Sequence, residues 1–407
     1  MTQTPRYAPV STMLLSLPDG ITAGYANVTL VYLLSHAGVA ADVIGGLVAL
    51  NIAPNAWKFA WAPLMDKTLS SRVWIVFSLM ITVGCFAGFA VLPITPASLP
   101  WLRVLIVAQS AAVSVATITV TRTISLVTPD HKRGAIGAWY NVGHVGGTGL
   151  GGGLGLWLAH QFPGSLWVAA LAMAGLIAAC GAGLLGFPNL PRDPGARTLG
   201  RTVIELGADG WRLARGRVGA LALLLALLPV GSGAAGSFWA VVADDWHASA
   251  NMVALVNGAL SGLLTIPGCM IGGFLCDRMD RKGVYMLGGA LMGLAALAML
   301  VAPHDETGFV IWTSVYALVN GIAFTAFSAF VMEAIGVGAA GTKCALIASL
   351  SNLPIIFATL ADGKATSLRG PRGLLLTEVA LEVVGIGFFL MIAVLTARRR
   401  RVWPQGG

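Results

Sequence analysis

Lys58 stands in the stretch WKFAWAPLMDK (57–67), inside an apolar run that begins near Val43 and before the polar stop at Asp66–Lys67. An ionised side chain in apolar sequence is costly and ordinarily faces a partner or a wet cavity. Two other charges share its level. At a helical rise of about 1.5 Å per residue, Lys58 lies about 12 Å in from Asp66, Arg122 about 12 Å in from Asp130, and Asp19 about 12 Å into the first apolar run. Asp19 is the one acid in the interior of the N-terminal half. One carboxylate beside two cations leaves a surplus positive charge. Two arrangements fit: a buried ion network that fixes helix packing, or a cavity that attracts an anion, with Asp19 as an exchangeable counter-ion. In the second, protonation of Asp19 frees Lys58 and Arg122 to take a carboxylate or phosphate, and the guanidinium suits bidentate capture.

Aromatic and polar neighbours fit the same cavity. Tyr25 and Asn27 lie deeper in the first run, and Trp57 and Trp61 flank Lys58 at helical spacing. Asn141 and His144 lie in the fifth run and Trp239 in the seventh. Flat amphipathic rings suit a bulky organic solute, and a histidine can titrate near neutrality. Each of these residues also suits ordinary packing or interface anchoring. In the C-terminal half, Glu333 lies near a run end and can snorkel out. Glu378 and Glu382 are one helical turn apart. Glu378 is expected to pair with Lys364, Arg369 or Arg372. Glu382 is deeper and is the second candidate proton carrier after Asp19.

The elements that must position these groups follow from composition. Charged residues are 10% of the 407 residues, hydrophobic residues 57%, and the mean hydropathy is +0.81. A soluble domain carries about a quarter charged residues, so there is too little polar surface to coat a globule. Apolar runs of about 20 residues, the length that crosses a bilayer as helix, recur along the chain. Their continuity, without alternation, favours helices over a barrel. The expected architecture is an all-α polytopic membrane protein with twelve spans: 11–35, 43–65, 72–94, 101–127, 134–159, 165–188, 218–243, 250–276, 283–302, 309–335, 344–366 and 373–397. A polar segment, 189–217, divides them into two six-helix bundles, 1–188 and 218–407. That linker starts with prolines and has room for a short interfacial helix carrying Trp211.

The formal charge of +8 is explained by loop asymmetry. With both termini cytoplasmic, nineteen of the 25 basic residues fall in inside segments and four outside, leaving Lys58 and Arg122 within spans. Cytoplasmic loops collect Lys and Arg in this way, so the basic balance needs no nucleic-acid partner. Cys85, Cys180, Cys269, Cys276 and Cys344 all fall in or at the ends of apolar runs, without metal spacing, and read as small hydrophobes. The six histidines are scattered, so neither a metal centre nor another cofactor is expected. The N-terminus lacks the pattern of a cleaved signal.

The halves echo each other. DKTLSSR (66–72) follows the second run and GGFLCDRMDRK (272–282) the eighth, each an acid followed by bases. Such repetition is the mark of parallel six-helix repeats. These segments resemble the signature of the major facilitator superfamily. Gly272, Asp277, Arg278, Arg281 and Lys282 match it well, and Asp66, Lys67 and Arg72 loosely. The resemblance implies that Asp66 and Asp277, with Gly272, Arg278 and Arg281, form a conformational gate and not a solute site. WKFAWAPLMDK and GTKCALIASLSNLP (341–354) are further similar to the branch holding muropeptide permeases, acetyl-coenzyme-A transporters and siderophore importers. That branch often has aspartates in span four. Here ATITVTRTISLVTPDHKRG (116–134) carries threonines and Arg122 instead.

In span five Gly143, Gly147, Gly151 and Gly155 recur every fourth residue, a strip that lets helices approach closely. Pro54 and Pro267 occupy similar places in spans two and eight and can bend them. The chain is read as a monomeric inner-membrane secondary transporter that works by alternating access. It would couple protons to uptake of a bulky organic anion or zwitterion of muropeptide, siderophore or acyl-coenzyme-A type. An exporter of the same fold and a non-transporting sensor are the alternatives, and an enzyme is not expected.

Overall fold

The computed structural model describes residues 9–58, 65, 68–128, 133–163, 165, 167–190, 226–335, 347 and 349–402, with isolated positions between 204 and 224. Twelve helical passes are traced by these residues. In chain order they are α1 (9–36), α2 (Ala41–Ala56), α3 (Ser71–Val91), α4 (Leu99–Val127), α5 (133–161), α6 (Trp167–Leu185), α7 (234–246), α8 (Ala250–Cys276), α9 (Arg281–Val301), α10 (Glu306–Ile335), α11 (352–369) and α12 (371–402). Seven of the described helices are by themselves long and apolar enough to cross a membrane.

Local chemistry sets the ends. Ser249 caps α8 by accepting from the Met252 amide, and Asp280 caps α9 by accepting from Gly283, each satisfying an orphan donor of a first turn. Between α11 and α12, Gly370 takes φ 62°, ψ −155° and Pro371 follows. Such a conformation is open to glycine, and it lets two spans meet without a connecting loop.

Span seven departs from the expected single helix over 218–243. Leu228–Gly233 is not helical, and the chain then winds as short 3₁₀ and α turns to Trp246. Pro229 removes one backbone donor, and Gly231 and Gly233 adopt φ 61° and 69°. Three other passes stay continuous but widen locally into π-helical turns: Tyr25–Thr29 in α1, Leu150–Leu154 in α5 and Ala254–Leu260 in α8. These turns pack on one another. The Thr29 hydroxyl donates to the carbonyls of Gly151 (2.8 Å) and Gly152 (3.2 Å), so carbonyls within the widened turn of α5 are served from α1.

The α1–α5 seam uses the glycine strip. A methyl added at Gly20 would run into the His144 carbonyl, and one at Gly147 into that of Leu17. Ser16 bonds across the seam to the Tyr140 carbonyl at 2.8 Å.

The six-helix bundles meet at the end of the molecule that carries Gly370. There α2 crosses α11 at Gly45 and Gly363, so close that a methyl at Gly363 would run into the Ala41 carbonyl and one at Gly45 would crowd the Thr359 carbonyl. The Asp42 amide donates to Ser367 Oγ at 2.8 Å and Lys364 Nζ lies 3.7 Å from Asp42. His36 at the end of α1 faces Asp244 of α7 at 3.5 Å. The opposite end carries the α8–α9 turn, and there Arg72 fastens the exit of α6. Its Nε and Nη2 donate to the Phe187 carbonyl at 3.2 and 2.8 Å.

Candidate functional site

Asp19 sits one residue after Pro18, which interrupts the backbone ladder of α1, and it faces α5. Its Oδ2 lies 3.0 Å from His144 Nδ1, although the N–H is not aimed squarely at the oxygen. Tyr140, one turn before His144, stands within electrostatic range of Asp19 and beside Thr117 on α4. Lys58, just past α2, lies within electrostatic range of both Asp19 and His144. The side chains of Asp19 and His144 are 20% and 41% exposed, and Asn141 is exposed on the same helix. Four ionisable groups from spans one, two and five thus converge on an accessible space inside the N-terminal half. A carboxylate, an imidazole, a phenol and an ammonium can together bind an anionic or zwitterionic group and exchange a proton.

Arg122 is placed elsewhere by its described surroundings. It lines a small crevice with Met65, Trp74, Ile118, Thr119 and Leu190, toward α3 and the exit of α6. Of the expected triad, the structure therefore brings together Asp19 and Lys58. His144 and Tyr140 stand where Arg122 was expected. Depth counting aligned the three charges but gave no helix face, and Tyr140 carried no signal beyond its place one turn from His144.

The aromatic candidates divide. Trp57 is exposed at the end of α2, whereas Tyr25 is buried and packs on Phe86 and Phe89 at 4.9 and 5.8 Å. Asn27 accepts from Asn51 Nδ2 of α2 at 3.4 Å. Trp239 is buried, with its ring edge-on to Tyr316 at 5.1 Å. Trp61 and Asp66 lie outside the described residues.

At the other signature copy, Gly272 packs against Ile322 and Thr325 of α10. Asp277 and Arg278 are exposed, Arg278 lying over the Phe274 ring at 3.6 Å, and Arg281 opens α9.

The C-terminal half holds a second group, only part of which was expected. Glu378 is buried and accepts from the Tyr316 hydroxyl at 2.5 Å. The expected partners Lys364, Arg369 and Arg372 do not hold it, because its face of α12 turns inward to α10. Glu382 accepts from the Gly231 amide at 2.8 Å. Asp362, missing from the expected site, is wholly buried beside them. Among the described residues, no cluster of His, Cys, Asp or Glu is arranged to hold a metal ion.

Two bundles of membrane-length helices, joined at one end and enclosing ionisable groups reachable within one half, define a polytopic membrane carrier. Residues 12–359 match the family described as Major Facilitator Superfamily, and the chain belongs to that superfamily. It is 26% identical over 403 residues to the anhydromuropeptide permease of Escherichia coli strain K12, covering 96% of this chain and 80% of the relative. Among solved structures it is similar to a D-xylose–proton symporter, with TM-score 0.72, 14% identity, and 93% and 96% of the two chains covered. A nucleoside transporter, as its D323A mutant, matches with TM-score 0.72 and 16% identity over 94% and 98%. The fold is that of a twelve-helix secondary transporter, and the chain is a membrane permease, not an enzyme.

Proposed function

We propose that the chain is a proton-coupled importer of a bulky organic anion or zwitterion, of the anhydromuropeptide kind named for its relative. It would work as a monomer in the inner membrane with both termini cytoplasmic. The carrying observation is the pairing of Asp19 with His144 at 3.0 Å, with Lys58 in electrostatic range, in an accessible space. In this reading the carboxylate holds the two nitrogen bases until a proton reaches it. The bases then turn to the acidic group of the solute, with Tyr140 and Asn141 supplying neutral hydrogen bonds. The loop asymmetry of Lys and Arg supports the orientation. With that orientation, the contacts at the Gly370 end close the outer side, and the Asp19 group opens inward. Exchange between this arrangement and its opposite is alternating access.

The experiment is uptake of labelled anhydromuropeptide into proteoliposomes, with and without an acid-outside gradient. Uptake should rise with the gradient, and Asp19→Asn should abolish the rise while Asp19→Glu retains part of it. Gradient-independent uptake, or full coupling in Asp19→Asn, overturns the mechanism. Failure of this solute beside success of another organic anion moves only the solute class.

A further inference from the structure

Asp362 on α11 is 0% exposed, and Glu378 and Glu382 on α12 are 1% and 2% exposed. The described ion pairs all involve other residues. Each carboxyl is within electrostatic reach of Tyr316, and Glu378 interacts with both of the others. Carboxylates this close and this dry cannot all be ionised at once. The hydrogen bonds separate their roles. Glu378 has the Tyr316 hydroxyl on one oxygen and Glu382 the Gly231 amide on one, each a donor that favours a charged acceptor, while the other oxygen of each is buried without a donor. Asp362 has no donor to either oxygen, and both are buried, as is the unpartnered hydroxyl of Thr359 one turn earlier. A carboxyl in that position is cheapest as the neutral acid.

The group also grips the break in span seven. The Val230 carbonyl and the Gly231 amide belong to one peptide unit. Tyr285 of α9 donates to the carbonyl at 2.5 Å, and Glu382 accepts from the amide at 2.8 Å. Glu378 reaches the same span by another route, through Tyr316 and the Trp239 ring set edge-on to it.

We propose that Asp362, Glu378 and Glu382 form one shared proton-binding site whose charge sets the conformation of the α7 break. The proposal deepens the proton-coupled reading by placing a site for the ion in the half that does not hold Asp19. With the group protonated, Asp362 first among the three, Glu378 and Glu382 keep the two donors described. When a proton leaves, a further negative charge appears among groups whose nearby donors are the Tyr316 hydroxyl, the Gly231 amide and the Tyr285 hydroxyl. Redistribution of those donors loosens the grip on the Val230–Gly231 peptide and moves α7, which meets the end of α1 at His36–Asp244. Proton occupancy of the C-terminal half is thereby tied to the seal between halves.

The test uses the full-length protein in detergent, without solute or gradient. Infrared absorption of protonated carboxyl groups is followed against pH, and amide exchange of residues 228–233 is measured in parallel. Wild type should show the protonated-carboxyl band at neutral pH and lose it as pH rises. Asp362→Asn should lose most of the band, and Glu378→Gln should displace the pH at which it disappears. Glu382→Gln keeps an acceptor for Gly231 but no charge, so exchange at the break should speed up with pH in wild type relative to this variant. Should Asp362→Asn fail to fold, Glu378→Gln carries the infrared comparison. Absence of the band, a band that none of the variants alters, or a constant exchange ratio at the break overturns the proposal. Because no gradient is applied, these outcomes are separate from the uptake result.

Discussion

Gly363 of α11 touches Gly45 of α2 backbone to backbone, and the residue before it, Asp362, is buried about 100° round the same helix. Span eleven therefore joins the seal between the halves to the acidic interior of the C-terminal half through two consecutive residues. A side chain at Gly363 would meet the Ala41 carbonyl and the Gly45 Cα. Overpacking of this kind costs about 1–3 kcal/mol. Gly363→Val should shift the protein away from the arrangement closed at the Gly370 end. Cysteines placed at Asp42 and Ser367 should crosslink readily with Gly363 present and poorly with valine there.

The seam between α1 and α5 carries its own control. Gly147 faces the Leu17 carbonyl and the Ile21 amide, whereas nothing lies within 4 Å of a methyl at the adjacent Gly146. Gly147→Ala should lower the unfolding temperature in detergent sharply. Gly146→Ala should leave it equal or raise it, since alanine is favoured over glycine in a helix by up to about 1 kcal/mol.

Tyr316→Phe keeps the ring edge against Trp239 and removes only the hydroxyl that serves Glu378. Leaving a buried acceptor unserved costs about 1–3 kcal/mol. The variant should unfold at lower temperature, and adding Glu378→Gln should cost less than the two single changes predict together. Additive losses in that double-mutant cycle would mean that the two groups are not coupled.

Arg72 gives two N–H donors to the Phe187 carbonyl, and Ser71 and Asn189 bond beside it. Lysine cannot reproduce the fork. Arg72→Ala should speed tryptic cleavage after Arg192, with Arg72→Lys intermediate, as read by the rate at which the full-length band is lost.

The architecture was legible because apolar length and basic loops are one-dimensional signals. Ser71–Val91, Leu99–Val127 and Arg281–Val301 fall within three residues of the spans expected for them. Span seven was read as one helix because apolar content over 218–243 hides a break made by Pro229, Gly231 and Gly233. The site was legible in level but not in direction. Depth placed Asp19 and Lys58 together correctly, yet put Arg122 with them when its face of α4 turns to α3. Glu378 was assigned to nearby cations because sequence distance favours Lys364, Arg369 and Arg372. Helix rotation instead sends it to Tyr316, sixty-two residues away. Asp362 was passed over because it stands two residues before Lys364, in what looks like the polar end of a span. The helix actually continues to Gly370.

The widened turns at Tyr25–Thr29, Leu150–Leu154 and Ala254–Leu260 each hold a residue more than an ordinary turn. The extra residue rotates everything beyond it by about 100° about the axis relative to an uninterrupted helix. In α1 the widened turn carries both Tyr25, which it sets against Phe86 and Phe89 of α3, and Asn27, which it sets against Asn51 of α2.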